Sequence, residues 1–305
     1  MAEYVKQMLM FRVCVLVVVV NMFTASKLSN LCYGFESDKD WVGDVCKMLL
    51  QESSMGMTML SKARMSWGQE NELVALKRFE SQSGLGVTEQ EDTKTVPWNI
   101  WGGGISCRSD GECKHAVLEI KSPFFKTYKE VPAAYVLQMM LEMIAYHKKK
   151  AYFIVHYTPH GWMKYVKYLH QHQSFDVIRD MGTMYREGSN DEWEAFMKQP
   201  AVYKKTPKKT TTHSFDIYQV DYSPTLVHAM KQFVASLDRF SFHYLRFVVR
   251  RPFLKEYYHQ HLKKEISELT QCMDVMYTEI MRVRLGITKV FKRSTRSRRS
   301  FVAWG

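Results

Sequence analysis

The run Val117-Leu118-Glu119-Ile120-Lys121 constrains this chain more than any other stretch. It is short and apolar, so Val117 to Ile120 is predicted as a buried strand. Yet it carries an acid and a base two residues apart, which a strand turns to the same face. Charges on a buried face must pair with each other or meet an ion. Nine residues before Glu119, Asp110 sits in Ser109-Asp110-Gly111, a turn-forming triplet. From that turn the chain can swing Asp110 back beside the pair. Two carboxylates and an ammonium at a strand end suit a hard divalent cation, and with it metal-assisted phosphodiester hydrolysis.

The chain has 305 residues, enough for one large core or two smaller ones. Its net charge of +12 points toward a polyanionic partner, although acidic protein or anionic lipid would also answer to it. The six cysteines form no CxxC repeat and no dense framework, which fits a reducing compartment. Cys107 and Cys113 flank the Asp110 turn and read as two thiols on a hairpin.

Around this stretch the pattern alternates helices and strands. A helix is predicted over 66–83, with Ser66 as N-cap, Glu72 in an early turn, and Leu73, Leu76 and Phe79 as its apolar stripe. Val74 and Ala75 widen that stripe, and Gly84 and Gly86 end the helix. Residues 87–117 read as loops and hairpins. Further helices are predicted at 133–147, 225–240 and 257–284, and further strands at 151–157 and 215–220. A helix-like stretch at 190–198 and the basic loop 204–209 lie in a segment without clear strands. Phe240, Phe242, Tyr244 and Phe247 lie near arginines; they could stack bases, but packing is the safer reading. The tail K-R-S-T-R-S-R-R at 292–299 is predicted to be disordered, and it reads as a nuclear localisation signal or a non-specific DNA contact.

Several short motifs in fixed order give this pattern a family likeness. T-A-S stands at 24–26 and W-G at 67–68, with Glu72 four residues past Gly68. F-E-S-Q-S-G closes the same helix at 79–84. S-D-G at 109–111, L-E-I-K-S-P-F at 118–124, Y-V-L-Q at 135–138 and Y-T-P at 157–159 follow. The set resembles the PD-(D/E)xK nuclease superfamily, and within it the lambda exonuclease, or YqaJ-type, branch that includes viral alkaline exonucleases.

That resemblance implies an α/β fold: a restriction-endonuclease-like core with a mixed central β-sheet flanked by helices. It implies a nuclease domain at 24–250 with an insertion at about 160–213, preceded by an apolar segment at 1–23 and followed by a helix and basic tail at 251–305. The implied activity is a Mg²⁺-dependent deoxyribonuclease that resects duplex ends. A nuclease-derived nucleic-acid-binding protein without catalysis is the alternative. Asp110, Glu119 and the Ile120 carbonyl would ligate Mg²⁺ or Mn²⁺. Glu72 would hold a second ion or its water, Lys121 would orient or deprotonate the attacking water or stabilise charge, and Gln138 would orient the nucleophile or the lysine. Ser26, Arg108 and Ser109 would meet DNA.

The implied partners are double-stranded DNA ends, a single-strand annealing protein and further copies of the chain, with no membrane. The expected location is intracellular, in the nucleus. The run Val13 to Val20 is also a passable signal peptide, which keeps secretion as the alternative; the T-A-S motif after it favours a buried element. Two departures stand out. Arg108-Ser109-Asp110-Gly111 replaces the family's Ser-Pro-Asp-Gly, and the family's phosphate-gripping arginine before T-A-S has no counterpart.

Overall fold

The computed structural model describes residues 23–37, 39–50, 59–90, 92–123, 128–157, 214–251, 254 and 257–291. The expectations for the Val13 to Val20 run, the 190–198 helix, the 204–209 loop, the 292–299 tail and Thr158-Pro159 lie outside these residues.

A five-stranded mixed sheet forms the centre, in the order β3-β4-β5-β6-β7. Its strands are β3 (Gly111–Cys113), β4 (Ala116–Lys121), β5 (Lys150–Tyr157), β6 (Ser214–Asp221) and β7 (Thr288–Val290). Only β4 and β5 run parallel, with Glu119 opposite Phe153 and Lys121 opposite Val155. A parallel pair needs a crossover, and helix α4 (Ala133–Ala145) supplies it. A small separate ladder joins β1 (Lys94–Val96) to β2 (Ile105–Cys107). Strand β7 was not evident from sequence. It is a three-residue edge with half-exposed and exposed side chains, so it lacks an apolar signature.

Alternation along β4 and β5 sends side chains to two unequal cores. Val117, Phe153 and Val155 join a large core built with α1 (Ala25–Glu36), α2 (Trp41–Leu49), α4, α5 (Pro224–Arg250) and α7 (Lys263–Leu285). Leu118, Ile120, Tyr152 and Ile154 face a smaller core under α3 (Met59–Ser83). Neither α1 nor α2 was legible in the sequence as a helix. Their starts are set by side-chain caps: Thr24 accepts from the Lys27 N–H, and Asp40 from the Gly43 N–H.

Helix α3 begins upstream of the expected Ser66 cap, which therefore lies inside it. Met59 to Met65 is rich in good helix formers, and these outweigh a single serine start signal. The far end matches expectation: Gly84 takes φ 71° and its N–H returns to the Glu80 carbonyl. The predicted stripe was rotated. Ala75, Leu76 and Phe79 are buried, whereas Leu73 and Val74 are about half exposed. Glu72 shares the inner face at helical spacing with Leu76 and Phe79.

Helix α5 continues past the expected end because Phe240, Tyr244 and Phe247 extend its buried face. Those three rings pack into the core, and Phe242 stays exposed. The long C-terminal helix is broken at buried Leu262, leaving a short α6 (Tyr258–His261) before α7.

Candidate active site

Strand β4 carries Glu119 and Lys121 to its α4-facing side, at the end where the strand leaves the sheet. Glu119 is fully buried. Its Oε1 is ion-paired with the Lys121 ammonium, and its Oε2 accepts from Gln138 Nε2 at 2.9 Å. Lys121 Nζ also donates to the Ile120 carbonyl at 2.9 Å and lies 4.0 Å from Asp110 Oδ2. It sits 5.2 Å from the centre of the Tyr135 ring.

Asp110 arrives from the β3 side and is clamped to β4 twice. Its N–H donates to the Leu118 carbonyl at 3.1 Å, and its Oδ2 accepts from the Ile120 N–H at 2.6 Å. The turn that aims it has no proline, and the Ser109 hydroxyl takes up that work. It donates to the Gly111 carbonyl at 2.6 Å and accepts from the Gly111 N–H at 3.3 Å. Gly111 leaves room for the side chains packed over the turn. A Cβ there would lie 2.9 Å from Leu76 Cδ2 and 3.2 Å from Leu118 Cδ1.

Glu72 approaches from the other side of the sheet, on α3. Burial and the Asp110 charge push its carboxyl up to about 7, against the pull of Lys121 and Arg108. Burial also raises Glu119, opposed by Lys121. Burial works against the Lys121 ammonium, but Glu119 and Asp110 outweigh it and hold the lysine protonated.

The structure thus brings Asp110, Glu119, Ile120, Lys121 and Gln138 into direct contact, with Glu72 in electrostatic reach. It treats the three residues expected at DNA differently. Ser26 is exposed in the first turn of α1, and Arg108 is exposed beside the Asp110 turn. Ser109 is fully buried and spends its hydroxyl inside the turn, so it presents no group to a ligand.

Two carboxylates and one backbone carbonyl converge on a single positive centre, the Lys121 ammonium. Such oxygen donors suit a hard divalent cation. Among the described residues no three acidic, histidine or cysteine side chains close into a metal-holding group. A cation placed here would draw on the Ile120 carbonyl besides the two carboxylates.

Residues 19–148 match the YqaJ-like viral recombinase domain. This part of the chain is similar to that domain. It spans every site residue described above. Two solved structures share a similar chain path with this protein. An alkaline exonuclease from Laribacter hongkongensis is 12% identical, with a TM-score of 0.46 over 78% of this chain and 96% of its own. A phage-related exonuclease from Haemophilus somnus is 13% identical, with a TM-score of 0.43 over 72% of this chain and 92% of its own. No curated protein matches the sequence.

The matched segment holds one acid that sequence reasoning missed. Glu142 is fully buried on α4, and its Oε1 accepts from Gln138 Nε2 at 2.9 Å. Burial and the nearby Glu119 charge push its carboxyl well up. A signal was present: Gln138 and Glu142, four apart, are the only residues of A-A-Y-V-L-Q-M-M-L-E-M-I-A with an amide or a carboxylate.

Proposed function

We infer that this protein is a Mg²⁺- or Mn²⁺-dependent DNA exonuclease that shortens linear duplexes from their ends. One observation carries the reading: Asp110, Glu119 and the Ile120 carbonyl converge on one positive centre within a YqaJ-like domain. When bound, the ion supplies charge that lowers the pKa of water and offsets negative charge building on phosphorus. Asp110 and Glu119 hold it, with the Ile120 oxygen as third donor.

The remaining work falls to side chains. Gln138 pins one oxygen of Glu119, leaving the other to face the cation seat. Lys121 keeps its proton and 28% of its side chain exposed, so it offers positive charge to a phosphate arriving from solvent. It works as a charge stabiliser and water positioner rather than as a base. Glu72, from the opposite face, adds a carboxylate for water or a second ion. The net charge of +12 suits the DNA backbone. We assign the activity to end resection in recombination, repair or viral genome processing.

The ion pair between Lys121 and Glu119 favours one other reading. A site neutralised by its own lysine would bind DNA and leave it intact. An end-labelled linear duplex and a covalently closed circle, each with Mg²⁺ and with EDTA, separate the two. The exonuclease reading expects Mg²⁺-dependent shortening of the linear DNA alone. A linear duplex that is bound but not shortened overturns it, and cutting of the circle overturns end dependence.

A further inference from the structure

Helix α4 is apolar around almost its whole circumference and is buried on nearly every side. A carboxylate inside such a helix is costly unless its oxygens are matched. Glu142 is matched on one oxygen only. Its Oε1 accepts from Gln138 Nε2, while its Oε2 has no hydrogen-bond partner among the described residues. For packing alone, leucine or methionine would serve better at this position, so the acid needs another explanation.

The geometry of Gln138 supplies one. Its amide nitrogen has two hydrogens and no more. One goes to Glu119 Oε2 at 2.9 Å and the other to Glu142 Oε1 at 2.9 Å. An amide is planar, so two fixed hydrogens fix its rotation. They also fix its sense, because the nitrogen rather than the oxygen must lie between the two carboxyl groups. With Glu142 absent, one hydrogen is free and the amide can turn about its last torsion, which is broad and soft. Glu119 would then lose the constraint that turns its Oε1 to the cation seat.

We propose that Glu142 is a positioning residue: through Gln138 it fixes the Glu119 carboxylate for the divalent cation. This rests on the reading of Asp110 and Glu119 as cation ligands. Glu142 itself touches neither the cation seat nor the solvent-facing side of Lys121. Partners that orient ligands from outside typically contribute about 10–100-fold in metal affinity or activity.

The test compares Glu142→Leu, which keeps bulk and removes the acceptor, with Glu142→Gln, which keeps an acceptor oxygen. Mn²⁺ affinity of the full-length protein is measured first, by titration without DNA. Cleavage of linear duplex follows. Glu142→Leu should bind Mn²⁺ about 10-fold more weakly and lose about 10-fold in kcat, with KM for DNA unchanged and Tm not lowered. Glu142→Gln should recover most of both losses. Adding Glu142→Leu to Gln138→Leu should cost little more, because the two residues act as one unit.

Wild-type Mn²⁺ affinity in Glu142→Leu overturns the proposal, as do equal losses in both Glu142 variants or fully multiplicative losses with Gln138→Leu. Should the leucine variant fail to fold, Glu142→Met, also without an oxygen and more adaptable in shape, takes its place. A wild-type protein that binds Mn²⁺ but leaves DNA intact refutes the nuclease reading while the affinity comparison still decides the role of Glu142.

Discussion

The two faces of β4 treat charge in opposite ways. On the α4 side, Glu119, Lys121, Gln138 and Glu142 form a connected polar group walled in by the large core. On the α3 side, the sheet meets a small apolar core, and the acid nearest the site, Glu72, stays partly open to solvent. The first arrangement fixes atoms. The second leaves a carboxyl whose protonation changes near neutral pH. The comparison teaches that one strand can enclose a hydrogen-bonded polar cluster on one face and leave an acid partly open to solvent on the other, because its alternation separates the two environments.

The largest effect should follow from breaking the enclosed face. Glu119→Gln removes one cation donor and Lys121→Ala removes the phosphate-facing charge. Each should lower the cleavage rate by about 10²–10³-fold or more, while DNA binding, measured by gel shift, remains. Cleavage at the wild-type rate in either variant would show that this face is not the reacting one.

Next comes the hinge between the faces. Gly111→Ala pushes a methyl group against Leu76, under α3, and against Leu118 on β4. It should lower stability by about 1–3 kcal/mol in a denaturant melt. It should also weaken Mn²⁺ binding, because Asp110 is the preceding residue. Unchanged stability would mean the two cores are less tightly joined at this turn than their geometry indicates.

The open face predicts a pH effect. Folded Glu72 keeps its proton up to about pH 7, whereas an unfolded glutamate releases it near ~4.3. Between those values the folded state binds more protons, so stability falls as pH rises. Tm of the cation-free protein should therefore drop from pH 5 to pH 8, and Glu72→Gln should flatten part of that slope. Asp238, raised to about 6 by burial, and the buried Glu119 and Glu142, whose carboxyls are also raised, add contributions of the same sign that remain in the variant. A slope unaffected by Glu72→Gln would place the titration elsewhere.

A last pair of substitutions separates the two sides of α3 and ends on the smallest effect. Leu76→Ala, in the small core, should cost about 2–5 kcal/mol. Val74→Ser, on the exposed side, should stay within about 0.5 kcal/mol by the same melt.

The enclosed face was largely legible in the sequence because its main parts are local. Glu119 and Lys121 share a strand face by simple alternation, and the Asp110 turn lies within one hairpin of them. Glu142 escaped notice because its role depends on which strand lies beneath α4, and a single sequence does not display that. The α3 stripe was misaligned for a related reason. Leu73, Val74, Leu76 and Phe79 allow more than one apolar face, and only the sheet below selects Ala75, Leu76 and Phe79. Strand β7 owes its pairing to β6, so its own residues carry little sign of it. The Asp110 turn lacks the proline of the resembled family, yet the Ser109 hydroxyl closes it from within.

The central claim is that Asp110 and Glu119, with the Ile120 carbonyl, form one seat for a divalent cation. Paramagnetic resonance of Mn²⁺ titrated into the wild-type protein, Asp110→Asn and Glu119→Gln tests it most directly. Mn²⁺ should be bound by the wild type and released by either single substitution, with cleavage of linear duplex lost in parallel. Mn²⁺ held equally well by all three proteins would contradict it.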